Sequence, residues 1–122
     1  MYEVAIKKTF SAAHRISDIG GKCEALHGHN FLVEVAVAAE SLNEGGLLID
    51  FRILKRWTEE VLDQLDHKFL NELEYFKKRN PSSEQIARYL YEMIDERTRQ
   101  GNVHLSRVSV WESENSCATY SL

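Results

Sequence analysis

Three histidines and a cysteine near the start of the chain have the residue types and spacing to do chemistry. The stretch KCEALHGHN contains Cys23, His27 and His29, and His14 lies upstream in FSAAHR. Imidazole nitrogen and thiolate sulfur are ligands that zinc prefers, and a thiolate near a histidine can also act as a nucleophile or a base. The stretch therefore indicates a zinc site, a catalytic thiol, or a polar loop without a site.

Alternating polarity places the three histidines on the apolar faces of two predicted strands. Residues 2–14 and 27–39 both alternate, with His14 ending the first apolar row and His27 and His29 opening the second. Two strands joined by residues 15–26 most simply pair antiparallel, which brings these ends together. The pattern predicts three converging imidazoles and a catalytic zinc with an open fourth position. The competing interpretation is a strand-end histidine beside a polar turn.

Two helices are predicted in the middle of the chain. The first runs from about Phe51 to Leu65 with Asp50 as its N-cap. The second begins after Ser82, which with Gln85 fits a capping box. Residues 66–81, which connect the two helices, have uncertain local structure. The apolar stripe predicted for the first helix consists of Phe51, Leu54, Trp57, Val61 and Leu65.

The end of the chain predicts a second pair of strands. Residues from about 105 to 112 and from 117 to 120 form a hairpin around SENS. The element order is then β-β-α-α-β-β, an α+β fold in which an antiparallel sheet carries two helices on one face. We expect residues 1–122 to form a single domain. The open edges of such a sheet favour assembly into an oligomer.

Cys23 has three possible roles that spacing alone does not separate. It could be a fourth zinc ligand, which would close the site and make it structural. It could be a nucleophile or base whose thiol pKa is lowered by the metal or by an imidazolium. It could also be a small buried residue.

Two further positions carry groups that suit catalysis or binding. Asp66 and His67 in QLDHKFLN form a potential general acid/base unit, or a polar helix terminus in which the histidine suits the helix dipole. Glu112 closes the apolar row of Val108 and Val110. It is either a hairpin-end charge in solvent or an anchor that accepts two parallel N–H bonds from an amidine-like edge, such as a pterin or guanine ring.

Composition excludes several classes of protein. The 122 residues are 43% hydrophobic and 28% charged, which is typical of a globular domain rather than a disordered chain. A net charge of −4 argues against a nucleic-acid-binding surface. The sequence has no apolar run long enough for a membrane helix and no predicted signal peptide, so we expect a cytoplasmic protein.

Six short motifs in order give a family resemblance. They are FSAAHR, CEALHGHNF, LIDF, LDHKFLN, NPSSE and VWESE, and they span nearly the whole chain. Together they resemble the 6-pyruvoyl-tetrahydropterin synthase / 6-carboxytetrahydropterin synthase family. The resemblance implies the tunnelling fold (T-fold) and the substrate 7,8-dihydroneopterin triphosphate. It also implies a homohexamer of two trimeric rings with active sites between subunits.

The resemblance also implies roles for individual residues. The histidines at 14, 27 and 29 would bind one Zn²⁺ per subunit. Cys23 would be the catalytic thiol, completed by Asp66 and His67 of the same or of a neighbouring subunit. Glu112 would hold the pterin ring.

The gap between the cysteine and HGH helps to choose a branch of the family. Three residues separate Cys23 from His27, which resembles the 6-carboxytetrahydropterin synthases of 7-deazaguanine (queuosine) biosynthesis more than the animal pyruvoyl enzymes. The expected products are 6-carboxy-5,6,7,8-tetrahydropterin, acetaldehyde and triphosphate. Glu24 keeps a folate-type cleavage of dihydroneopterin open, and a structural zinc or pterin-binding module is the non-enzymatic alternative.

Overall fold

A computed structural model describes residues 1–17 and 25–122. Its strands are β1 (Tyr2–His14), β2 (His27–Ala39), β3 (Lys68–Phe69), β4 (His104–Ser113) and β5 (Ser116–Tyr120). Its helices are α1 (Phe51–Leu62) and α2 (Ser83–Thr98). The α+β class and the order of the four long strands and two helices are as predicted.

The sheet has the order β3-β1-β2-β4-β5. β1 and β2 pair antiparallel over their full length, so that His14 lies opposite His27 and Ala12 lies opposite His29. This register brings the two histidine-bearing ends together as expected and agrees with the alternation, because a slip of one residue would turn every apolar side chain to the other face. β4 and β5 form the predicted hairpin beside β2.

One face of the sheet packs against the two helices. Phe10 of β1 and Phe31 of β2 stack with ring centroids 4.9 Å apart, and both are buried. The helices bury regularly spaced apolar side chains against this face: Leu54, Trp57 and Val61 from α1, and Ile86, Leu90 and Ile94 from α2. Burial of these side chains is the main favourable contribution to folding.

Both helices begin at the predicted caps. The Asp50 carboxylate accepts a hydrogen bond from the Arg52 amide at 2.8 Å. The Ser82 hydroxyl accepts from the Gln85 amide at 3.2 Å. Each cap satisfies a backbone donor that has no partner within its own helix.

The predicted end of the first helix and one of its core residues are wrong. α1 ends at Leu62 rather than Leu65, and the chain leaves it in tight turns in which the Leu65 and Asp66 amides both donate to the Leu62 carbonyl. Leu65 is buried after the helix has ended. Phe51 is 51% exposed, so it is not part of the core although it begins the predicted apolar stripe.

The predicted all-antiparallel sheet is corrected by β3. This two-residue strand lies in the connector whose structure the sequence left uncertain, and it pairs parallel with Ala12 and Ala13 at the edge of β1. The sheet is therefore mixed. So short a strand carries almost no apolar pattern, since alternation needs several residues to be visible.

Within residues 1–17 and 25–122, neither helix combines the length and apolar character needed to cross a bilayer.

Candidate metal centre and active site

Three imidazoles and a carboxylate converge at one end of the helix-facing side of the sheet. His14, His27, His29 and Glu112 each offer one ligand atom, and these four atoms lie within 4.8 Å of one another. The Nε2 atoms of His14 and His27 are 3.0 Å apart. Glu112 Oε1 lies 2.7 Å from His29 Nε2 and 3.5 Å from His14 Nε2. We call these four residues the His₃Glu cluster.

Backbone carbonyls orient two of the three rings. His14 Nδ1 donates to the Pro81 carbonyl at 2.7 Å, and His27 Nδ1 donates to the Ala25 carbonyl at 2.8 Å. A carbonyl can only accept, so in each neutral imidazole the proton is on Nδ1 and the lone pair is on Nε2. Both lone pairs therefore point into the His₃Glu cluster, the arrangement in which a histidine binds a metal through Nε2.

The wall of the cluster is aromatic and buried. His14 is 0% exposed, while His27 and His29 are partly exposed. The buried ring of Phe31 meets His14 at 89° with centroids 5.5 Å apart, and His29 at 64° with centroids 5.4 Å apart. This packing limits rotation of the rings. The partly exposed side, at His27 and His29, leaves space through which a small molecule can reach the cluster.

The donor set fits a zinc ion. Zinc with ligands at 2.0–2.1 Å in a tetrahedron separates neighbouring ligand atoms by about 3.4 Å. The distances given above for the four ligand atoms bracket that value. Two imidazole lone pairs facing each other repel unless a cation lies between them, so the Nδ1–H tautomer of His14 and His27 suits a bound cation. His14, His27 and His29 would hold it.

Glu112 reaches the histidines from an irregular point in β4. The β4–β5 register shifts between Trp111 and Ser113, so Glu112 lies at a β-bulge. Bulges often redirect a side chain beside an active site. The second carboxylate oxygen, Oε2, lies 3.5 Å from the Ser83 hydroxyl at the start of α2. The expected pterin-holding carboxylate is thus directly beside the expected metal ligands.

Asp66 and His67 form a pair beside the edge of β1 that faces away from β2. His67 Nδ1 lies 3.0 Å from Asp66 Oδ2, and Asp66 Oδ1 accepts from the Ser11 amide at 2.8 Å. The Ser11 hydrogen bond is the main cause that lowers the pKa of the Asp66 carboxyl, followed by contact with His67. Asp66 is therefore an anion that can orient the His67 imidazole.

His67 has an unusual backbone. Its φ of 59° lies in the left-handed region, which is uncommon for residues other than glycine. Its amide donates to the Ser11 carbonyl at 2.6 Å, which ties this conformation to β1. The side chain is 82% exposed and lies outside the His₃Glu cluster. It lines a surface depression together with Gly28, His29 and Asn30.

Cys23, the predicted catalytic thiol, and Glu24 lie outside the described residues. The structure thus brings together the three histidines and Glu112, places Asp66 and His67 as a separate pair, and leaves the role of Cys23 a prediction.

The 6-pyruvoyl tetrahydropterin synthase family model matches residues 3–122. The chain belongs to this family. Its members include tetrahydropterin synthases, which agrees with the expected class of enzyme and with a pterin substrate.

Individual relatives extend the comparison. The chain is 35% identical to the 6-carboxy-5,6,7,8-tetrahydropterin synthase of Synechocystis, over 92% of this chain and 87% of that one. It is 36% identical to the dihydroneopterin monophosphate aldolase of Pyrococcus furiosus, over 89% and 88% of the two chains. The 6-pyruvoyl tetrahydropterin synthase of Caenorhabditis elegans superposes with a TM-score of 0.81 at 26% identity, over 100% and 97% of the chains. The T-fold is confirmed.

Sequence reasoning missed the groups that surround the cluster. The Pro81 carbonyl contacts His14 and the Ser83 hydroxyl contacts Glu112. From the sequence, NPSSE indicates only a family motif and a helix cap. A carbonyl acceptor leaves no signal in the sequence, because every residue has one. Ser83 could have been suspected only from its place beside the helix cap.

Proposed function

We propose that this protein is a zinc-dependent 6-carboxytetrahydropterin synthase. It would convert 7,8-dihydroneopterin triphosphate and one water into 6-carboxy-5,6,7,8-tetrahydropterin, acetaldehyde and triphosphate, a reaction of 7-deazaguanine (queuosine) biosynthesis. The observation that carries the proposal is the convergence of three imidazole Nε2 positions beside a carboxylate. Membership of the family and 35% identity to a 6-carboxy enzyme support this choice of reaction.

The metal half of the site consists of His14, His27 and His29. A zinc ion bound there would supply Lewis acidity, which stabilises negative charge that develops on substrate oxygens. The chain's own contribution is to hold the three rings in the tautomer and direction that the Pro81 and Ala25 carbonyls impose. The buried Phe31 ring behind them excludes water from one side.

The proton-transfer half consists of Cys23, Asp66 and His67. Cys23 as a thiolate would remove a proton from a side-chain carbon of the substrate. The imidazole of His67 would then donate or relay a proton, oriented by Asp66 at 3.0 Å. The exposed position of His67 suits a role in a site completed by another subunit, as in the proposed homohexamer with intersubunit active sites.

Glu112 would anchor the substrate ring. A carboxylate can accept two parallel N–H bonds from the amidine-like edge of a pterin. In the structure its Oε1 faces the histidines and its Oε2 faces Ser83, so substrate binding would require the carboxylate to turn toward the ring. Turning would also leave one position open beside the imidazoles.

A second reaction of the same site is an aldol-type cleavage of a dihydroneopterin. The 36% identity to a dihydroneopterin monophosphate aldolase favours it, and so does Glu24 beside the proposed thiol. A 6-pyruvoyl synthase reaction is the third alternative, since the fold is shared with such an enzyme. A non-enzymatic zinc or pterin-binding module would have the same cluster without turnover.

The released small molecule separates these reactions. Purified zinc-loaded protein is incubated with dihydroneopterin triphosphate, and in parallel with the monophosphate, and the aldehyde and pterin products are derivatised in solution and identified by mass spectrometry. Acetaldehyde supports the proposal, glycolaldehyde that still carries the substrate's phosphate supports the cleavage reaction, and a pyruvoyl pterin without aldehyde supports the third alternative. Tight zinc binding without any product from either substrate would show a binding module.

A further inference from the structure

Four consecutive residues, Asn80 to Ser83, contact three separate parts of the molecule around the His₃Glu cluster. Asn80 binds Ser17, three residues after the end of β1, Pro81 binds His14, Ser82 caps α2 and Ser83 lies against Glu112. We call these residues the NPSS segment. It runs into the first residue of α2, and Pro81 is 67 positions from His14 in sequence, so the fold rather than local structure brings the segment to the site.

Asn80 fixes where the NPSS segment lies relative to β1. Its Oδ1 accepts from the Ser17 amide at 2.9 Å, and its Nδ2 donates to the Ser17 carbonyl at 2.7 Å. Both backbone groups of Ser17 are thus paired with one side chain, in the pattern of a neighbouring strand. These two hydrogen bonds set the position of the NPSS segment relative to Ser17, which lies three residues beyond His14.

Pro81 orients the His14 ring through its backbone carbonyl. Proline has no N–H, so its carbonyl is its only backbone hydrogen-bonding group, and its φ is locked by the ring. Pro81 is buried, and its carbonyl accepts from His14 Nδ1 at 2.7 Å. This bond keeps the proton on Nδ1 and the Nε2 lone pair directed at the cluster.

We propose that Asn80 is a positioning residue, which sets the tautomer and direction of His14 by holding the Pro81 carbonyl against it. The inference rests on the proposed function in so far as His14 is a metal ligand. Ser83 at 3.5 Å from Glu112 places the same segment against the fourth member of the cluster. One asparagine thereby links the end of β1, a buried imidazole and the start of α2.

Two other asparagines provide matched controls. Asn71 makes the same paired contact with Arg15, at 2.8 and 2.7 Å, but does not belong to the NPSS segment. Asn43 accepts from the Gly45 and Leu47 amides at 2.9 and 3.0 Å, in the turn beyond the far end of β2. Asn71→Ala and Asn43→Ala therefore remove two side chain–backbone hydrogen bonds each, as Asn80→Ala does.

The experiment measures zinc affinity and the His14 tautomer in the full chain. Affinity is obtained by competition with a chromophoric chelator, and the tautomer by long-range ¹H–¹⁵N NMR of the zinc-free protein. Asn80→Ala should weaken zinc binding about tenfold, the low end of the loss seen when groups behind a ligand are removed. It should also give a mixture of Nδ1–H and Nε2–H forms at His14, while Asn43→Ala retains the wild-type affinity and tautomer.

Each outcome bears on the proposal. Wild-type affinity and a pure Nδ1–H tautomer in Asn80→Ala would overturn it, and so would equal effects of Asn80→Ala and Asn71→Ala. If Asn80→Ala does not fold, Asn80→Asp is used, which retains the acceptor for the Ser17 amide and should show the same changes to a smaller extent. A wild-type chain that binds no zinc refutes the proposed function, whereas the tautomer of the zinc-free variants still tests the role of Asn80.

Discussion

His14 and His27 face each other across the β1–β2 pair with their Nε2 atoms 3.0 Å apart, and each is held from behind by a carbonyl bonded to its Nδ1. Neither ring can turn its lone pair away without breaking that bond. The two strands thus present a pair of preoriented nitrogen ligands before any metal binds. Preorientation of this kind favours binding, because fewer side-chain rotations are lost when the ion arrives.

Replacing His29 by alanine should remove most of the affinity for zinc. Loss of one of three nitrogen ligands should weaken zinc binding by more than about 100-fold. This exceeds the loss of affinity that is typical when a group hydrogen-bonded to a ligand is removed. Competition with a chromophoric chelator measures the change. The control is His104→Ala at the exposed start of β4, which should leave the affinity unchanged. Equal affinities for the two variants would show that the His₃Glu cluster does not bind zinc.

Glu112→Gln should separate substrate anchoring from metal binding. If the carboxylate holds the pterin, zinc affinity should stay within about threefold of wild type, well below the loss expected for a ligand. The value of kcat/KM should fall about 10- to 100-fold, because charge-assisted hydrogen bonds become neutral ones. Glu114→Gln, at an exposed position in the β4–β5 turn, is the matched control. A large loss of zinc in Glu112→Gln would instead make Glu112 a fourth ligand.

Cys23→Ala should retain zinc and lose turnover. Removal of a general base typically slows a reaction by about 10² to 10⁴-fold, and this is the range expected for kcat. Metal content by mass spectrometry and product formation are measured on the same preparation. Cys117→Ala removes the exposed thiol of β5 and should leave both quantities unchanged. Loss of zinc from Cys23→Ala would assign Cys23 to the metal and contradict its proposed role as the base.

Asp66 should stabilise the fold at neutral pH and cease to do so in acid. Its pKa is lowered from the ordinary value of 3.8 in the folded protein, chiefly by the Ser11 amide. A carboxyl with a lowered folded pKa stabilises the protein above its unfolded pKa, and this contribution is lost as pH falls through the folded pKa. Asp66→Asn should therefore melt below wild type at pH 7, with the difference shrinking as pH drops below about 4.

Thermal melts at a series of pH values test the Asp66 prediction. Asp63→Asn removes a carboxylate from an exposed position at the end of α1 and serves as the control. A gap between wild type and Asp66→Asn that is constant across the series would show that the charge of Asp66 does not contribute to stability.

Native mass spectrometry should find an assembly of six chains. β5 lies at the edge of the sheet, and an edge strand presents backbone groups that another chain can pair with. Thr119→Pro would remove one backbone N–H from this edge strand and should reduce the proportion of hexamer if β5 mediates assembly. The same substitution at Ser41, in the loop after β2, is the control. A wild-type chain that remains a monomer at micromolar concentration would contradict the proposed intersubunit sites.

Alternation of polarity by itself determined where the three histidines meet. Side chains on a strand alternate between faces, so the apolar rows ending at His14 and beginning at His27 are buried together only in registers that keep both rows on one face. The caps at Asp50 and Ser82 were equally visible, because a cap depends on residues within one turn of helix.

Only the tertiary structure decided what surrounds those histidines. The Pro81 carbonyl behind His14 and the turn of Glu112 toward His29 each join residues far apart in sequence. The parallel pairing of β3 likewise depends on contacts with β1, at Ala12 and Ala13, and the His67 amide is held by the Ser11 carbonyl. Such contacts follow from how the elements pack, and local patterns do not encode them. The residue types indicated that a metal could bind; the fold decided how its ligands are held.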